Sequence, residues 1–162
     1  ATIPEAARPA VVIAGDTSLS PERRYLEDLA RRKTVKLVFE RSTSQEEVVM
    51  RYCRARVVAF APVMEPFGLV PLEAMACGVP VVGVREGGLR ETIIENRGGY
   101  LVDRDPHAFG NRLLTLLGND DLRFAQGQAG RNYVIEHWGW ERLIHQLECA
   151  LSCTLASERS RS

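Results

Sequence analysis

The chain has 162 residues, 45% hydrophobic and 26% charged, the balance of an ordinary globular protein of about one domain. Its 21 basic and 21 acidic side chains cancel, so no net positive field exists to gather nucleic acid or an anionic membrane. No apolar run approaches the roughly 20 residues that a bilayer span needs, so no transmembrane segment is expected.

Ala1 to Pro9 holds the helix-friendly Glu5-Ala6-Ala7 and breaks at Pro9, with no signal-peptide pattern. Ala10 to Ala14 reads as a first buried strand ending at Gly15-Asp16. Ser20 caps a helix with Pro21 at its first position. Leu26, Leu29 and Ala30 give its apolar stripe, and Arg31, Arg32 and Lys33 suit its negative end. Together with Arg23 and Arg24 these cations form a cluster that reads as a solvated helix face. Val35 to Phe39 is a second strand. Ser44 and Glu47 form a capping box for a helix whose inner face is Val48, Val49, Tyr52 and Cys53.

Val57 to Ala61 is a third buried strand, and it leads into the stretch Glu65-Pro66-Phe67-Gly68-Leu69-Val70-Pro71-Leu72-Glu73. A short helix-forming run follows and stops at Gly78. Two carboxylates thus flank a strand-to-helix turn. Gly68 permits close approach of a ligand, and Pro71 is tolerable in a first helical turn. Free amides at Gly68, Leu69 and Val70 would seat an anion such as a diphosphate.

Pro80 to Val84 is the fourth strand, followed by Glu86-Gly87-Gly88 and a short helix through Ile93 and Ile94. Gly99 to Val102 is the fifth, at an edge. Asp105-Pro106 opens a helix with Phe109, Leu113, Leu116 and Leu117 on one face. Gly118-Asn119 ends it and starts another carrying Leu122, Ala125, Ala129 and Tyr133. The last helix runs from Trp140 through Leu143, Ile144, Leu147 and Leu151, and 157–162 reads as a flexible tail. Cys53, Cys77, Cys149 and Cys153 have no zinc or redox spacing and read as reduced packing residues of a cytoplasmic protein. His107, His137 and His145 read as helix surface or packing.

Apolar strands alternating with helices define an α/β, Rossmann-like parallel sheet with helices on both faces. Such sheets bind ligands beyond the carboxyl ends of their strands, where Gly15-Asp16, Glu40 to Thr43, Glu65 to Val70 and Arg85 to Gly88 collect.

The series Glu65-Pro66-Phe67-Gly68, then Glu73-Ala74-Met75-Ala76-Cys77-Gly78-Val79-Pro80-Val81-Val82, then Gly87-Gly88-Leu89-Arg90-Glu91 resembles the donor half of retaining GT-B glycosyltransferases of family 4, also called group 1. The match runs from about Val11 to about Trp140. The resemblance implies that Glu65 contacts the transferred sugar, in a positioning and electrostatic role at an oxocarbenium-like transition state. It implies that Glu73 holds the ribose hydroxyls of a nucleotide, that amides around Gly68, Leu69 and Val70 meet the donor, and that Gly87-Gly88 borders it. Phe67 lies inside this set and reads as packing rather than base stacking. Read without the resemblance, Glu65 is a solvated loop charge, Glu73 complements a helix dipole and Gly87-Gly88 is a turn. Glu40 to Thr43 falls near the region that reads the base, and Trp138 and Trp140 resemble an aromatic core pair before the last helix.

The expected function is that of a donor-binding lobe moving a sugar from a nucleotide-sugar donor to an acceptor. A non-catalytic nucleotide-binding module, or a GT-B-shaped epimerase or phosphorylase, are the alternatives. No cofactor and no metal are expected, since helix amides and cations take the place of a divalent ion. The family's Gly-Arg and Lys loop has no counterpart before Val11, where Arg8 is the nearby cation. The reading is therefore of a donor domain over 1–156, N-terminally truncated and without its first strand, whose partner is an absent acceptor-binding domain. Losing two charge-assisted contacts to a diphosphate would cost roughly 1.5–3 kcal/mol each, which leaves the isolated chain inactive. Membrane association would come only through the absent domain, and self-association through an exposed sheet edge.

Overall fold

The computed structural model describes residues 3–5, 8–15, 21–41 and 44–159, with side chains to residue 153. The expected cap at Ser20, Asp16, the Ala6-Ala7 pair, Ser42-Thr43 of the expected base-reading loop and the last three residues lie outside the described set.

Strand β1 (Val11–Ala14), helix α1 (Pro21–Arg32) and strand β2 (Leu37–Glu40) form one crossover unit, with Val11 opposite Leu37 in parallel register. Helix α2 (Gln45–Arg54) follows. Strands β3 (Val58–Phe60), β4 (Val81–Val84) and β5 (Gly99–Val102) form a second parallel sheet, Val58 opposite Val81 and Val81 opposite Gly99. Helices α3 (Leu69–Ala76) and α4 (Leu89–Thr92) connect them. Helices α5 (Pro106–Leu117), α6 (Asp120–Trp138) and α7 (Trp140–Arg159) complete the order, α7 continuing through Ser157 into the expected tail. Among the described residues no helix is long and apolar enough to cross a membrane.

The strands are parallel and β5 is an edge, as the sequence indicates, but the sheet is not continuous. The described strands fall into two sheets, β1-β2 and β3-β4-β5. Neither β1 nor β3, expected as buried strands, holds a buried residue. Val11 and Val12 are 42% and 50% exposed, and no described residue before Gly68 is buried.

The core therefore belongs to the second half. Leu72, Ala74 and Met75 of α3 join Val81, Val84, Leu89, Ile93 and Leu101 in one buried cluster. Val82, Tyr100, Val102 and Leu116 form the other cluster, against α5. Local signals work here: Asp105 accepts the amides of His107 and Ala108 at 3.1 Å each, and Asn119 accepts that of Leu122 at 2.9 Å. Ser44 likewise caps α2 through the Glu47 amide at 3.3 Å.

Three expected faces are corrected. On α2, which rests on α3, Tyr52 packs on the core while Val49 and Cys53 are exposed. On α6, Ala125 is exposed and Gln126, Gly127 and Gly130 are buried instead. A Cβ on Gly130 would meet the Gly98 Cα at 2.8 Å, so α6 packs by backbone approach, with Gln126 Oε1 accepting the Gly98 amide at 3.2 Å. Trp138 packs against the core, but Trp140 is 80% exposed. With Ile144, Leu147 and Leu151 it forms an open apolar row on α7.

Candidate functional site

The site grows from the end of β3. After Phe60 the chain leaves the sheet through exposed Val63 and Met64 and turns at Glu65. The Glu65 carboxylate folds forward onto its own turn: Oε1 accepts the Gly68 amide at 2.9 Å and the Phe67 amide at 3.4 Å. Gly68 is the N-cap of α3, with φ 99° and ψ 49°, a left-handed backbone that favours glycine. A Cβ there would also lie 2.8 Å from Thr92 Oγ1.

This corrects one expectation. The Gly68 amide is not free for an anion, because Glu65 already occupies it. Leu69 and Val70 come next, and the first amides of an α-helix have no intrahelical acceptor. Pro71 then contributes no donor. The mouth of α3 is thus a carboxylate beside two peptide donors, and Leu69 itself is 60% exposed.

Glu73 sits one turn further along α3, exposed, and accepts the Tyr52 hydroxyl at 2.9 Å. Burial, and then the hydrogen bond to Glu73 and its charge, hold the Tyr52 phenol well above its ordinary pKa. Phe67 packs edge-on against Trp138, ring centroids 5.5 Å apart at 83°.

Gly87 and Gly88 lie against the same turn. A Cβ on Gly87 would fall 2.3 Å from the Glu65 carbonyl oxygen, and one on Gly88 2.4 Å from the Phe67 Cα. The Gly88 amide donates to the Glu65 carbonyl at 3.0 Å. These glycines bring two loops into backbone contact.

Sequence reasoning missed two members. Tyr52 registered only as an inner-face residue, and Arg104 not at all. Arg104 forks onto Glu86, Nε to Oε1 at 2.9 Å and NH2 to Oε2 at 2.7 Å, and holds the Glu86 carboxyl below its usual range. Arg104 also sits inside an Asp-x-Asp triplet, Asp103-Arg104-Asp105, a spacing that attracts metal readings. Here Asp105 is engaged as the cap of α5, and Asp103 stands 3.9 Å from the Arg85 guanidinium.

Of the remaining candidates, Glu40 pairs with Arg51, and Arg51 also donates to the Arg41 carbonyl at 3.0 Å. His137 stacks on Tyr133 at 4.7 Å and His145 touches Cys149 at 3.7 Å. A shallow cleft of about 370 Å³ between β5 and α5 is lined by Arg85, Asp103, Asn111 and Arg112 and shares no residue with the turn described above.

Among solved structures, sucrose-phosphate synthase from Thermosynechococcus elongatus superposes with a TM-score of 0.77 at 30% identity, over 94% of this chain and 41% of its own. The fold is that of a Rossmann-like lobe of the GT-B glycosyltransferases. The family described as Glycosyl transferases group 1 matches residues 2–133, and the chain belongs to that family. A relative in Corynebacterium urealyticum, D-inositol 3-phosphate glycosyltransferase, is 39% identical over 142 residues, 85% of this chain and 33% of its own length. Another, in Mycolicibacterium smegmatis, is a GDP-mannose-dependent alpha-(1-6)-phosphatidylinositol monomannoside mannosyltransferase, 34% identical over 137 residues, 80% of this chain and 35% of its own. The chain spans about a third of the length of these relatives.

Proposed function

We propose that this chain is the donor-binding lobe of a retaining glycosyltransferase that takes a sugar from a nucleotide-sugar donor. The observation that carries the reading is the mouth of α3, where the Glu65 carboxylate stands beside the Leu69 and Val70 amides, with Glu73 exposed on the next turn. The diphosphate seats on the two amides and needs no metal there, because the helix end supplies the positive pole. Glu73, steadied by Tyr52, accepts hydrogen bonds from two vicinal ribose hydroxyls. Glu65 accepts from sugar hydroxyls and stabilises positive charge at the anomeric carbon as its bond to the diphosphate oxygen breaks. The acceptor oxygen takes the place of the diphosphate at that carbon with the configuration retained, and its proton leaves on the diphosphate oxygen.

The acceptor is held by polypeptide outside these 162 residues. The greater length of the relatives and the open apolar row on α7 support that placement. The test is turnover of the longer protein that carries this lobe, offered UDP-glucose and GDP-mannose among other nucleotide sugars. Release of nucleoside diphosphate with an unchanged anomeric configuration in the product is expected. No release from any nucleotide sugar, or an inverted product, overturns the reading.

A further inference from the structure

We propose that Arg104 is a positioning residue that locks the Glu65 turn to the Glu86–Gly88 turn and so fixes the Glu65 carboxylate at the mouth of α3. Its effect on turnover rests on the glycosyl-transfer reading, whereas its effect on the loops does not.

At the start of the segment between β3 and α3, Ala61, Val63 and Met64 are exposed. β3 is three residues long, and Val63 and Met64 beyond it are 77% and 86% exposed. Arg104, just past β5, reaches across from the opposite edge of the sheet. NH1 donates to the Ala61 carbonyl at 3.3 Å and NH2 to the Pro62 carbonyl at 2.5 Å. The opposite side of the same guanidinium takes both oxygens of Glu86 at 2.9 and 2.7 Å. One planar cation therefore ties the start of one loop to the start of the other, and the Gly88 amide to Glu65 carbonyl bond closes the pair further along. An ammonium group lacks the fork that meets a carboxylate with two parallel bonds, so lysine is not equivalent here. The facing carboxylate also separates this role from that of a phosphate-binding cation: Glu86 already neutralises Arg104.

Hydrogen exchange on the 162-residue chain reads the lock directly. Arg104→Ala is expected to speed exchange at the hydrogen-bonded amides of Phe67, Gly68 and Gly88 about tenfold while α5 and α6 keep wild-type rates, with Arg104→Lys in between. Unchanged exchange in these loops overturns the proposal. So does an equal rise throughout α5 and α6, which means general unfolding. In the longer protein, Arg104→Ala is expected to lower kcat about tenfold to 100-fold with the donor KM within about twofold. A higher donor KM at unchanged kcat makes Arg104 a donor-binding cation and overturns positioning. A wild-type protein that turns over no nucleotide sugar overturns the glycosyl-transfer reading instead, and the exchange rates still decide the lock.

Discussion

The Tyr52 hydroxyl donates to the Glu73 carboxylate at 2.9 Å, joining α2 to α3 of the core half. Burial first, and then the hydrogen bond to Glu73 and its charge, raise the phenol's pKa in the fold. A raised folded pKa means that the protonated form is favoured by folding. Its contribution is whole below about pH 10, where an unfolded tyrosine titrates, and fades as pH climbs from there toward the folded value. Urea midpoints of wild type and Tyr52→Phe should therefore differ by a constant amount from pH 7 to 9, worth about 1 kcal/mol. The gap should narrow above pH 10. A gap that stays flat to pH 11 contradicts the assignment.

Glu65 has two tasks that substitution separates. Glutamine keeps an oxygen for the Gly68 amide, so Glu65→Gln should change stability by no more than about 0.5 kcal/mol. Glu65→Ala removes the acceptor from the end of α3 and should cost about 1 kcal/mol. Both should depress turnover of the longer protein by about 100-fold to 1000-fold. Thermal unfolding and diphosphate release, measured side by side, check this; near-normal turnover in Glu65→Gln removes the carboxylate from the chemistry.

Gly88 and Gly78 offer a paired comparison. Gly88 has φ −65° and ψ −14°, which any residue adopts, so the whole cost of Gly88→Ala is the contact of its Cβ with the Phe67 backbone at 2.4 Å. Backbone must move, at about 2–3 kcal/mol, and the Glu65 turn moves with it. Gly78 is the reverse case: φ is +74° and no atom lies within 4 Å of an added Cβ. Gly78→Ala should cost about 1–2 kcal/mol through backbone strain alone and leave donor affinity intact. Denaturant titration with donor binding checks both, and a donor-binding loss in Gly78→Ala but not in Gly88→Ala refutes the account.

What the sequence discloses follows the reach of each interaction. Caps at Ser44, Asp105 and Asn119 bond within three residues, so their side chains announce them. The turn from Glu65 to Gly68 is equally local and was legible as a strand-to-helix mouth. That Glu65 spends an oxygen on the Gly68 amide was not, because rotamer choice decides it. Arg104 was invisible: its carbonyl partners at Ala61 and Pro62 lie 43 and 42 positions away, and carbonyls carry no residue signature. Apolar pattern likewise says that Val11 and Val12 suit a strand, not whether a neighbouring strand covers them. In α6 the helical period pointed to Ala125, whereas close approach at Gly127 and Gly130 rotated the buried face.

Trp138 and Trp140 look alike in sequence and should respond oppositely. Trp138 packs on the core and against the Phe67 ring, so Trp138→Ala should cost roughly 3 kcal/mol and loosen the turn that carries Glu65. Trp140 is 80% exposed at the start of α7, so Trp140→Lys should shift the unfolding midpoint of the 162-residue chain by less than about 0.5 kcal/mol. In the longer protein the same substitution places a charge in the apolar row where the proposed acceptor-binding region packs, and it should destabilise that protein by about 1–3 kcal/mol. Parallel denaturation of both lengths measures the difference. Equal, small effects in the two would leave the α7 row uncovered and remove its support for the acceptor region.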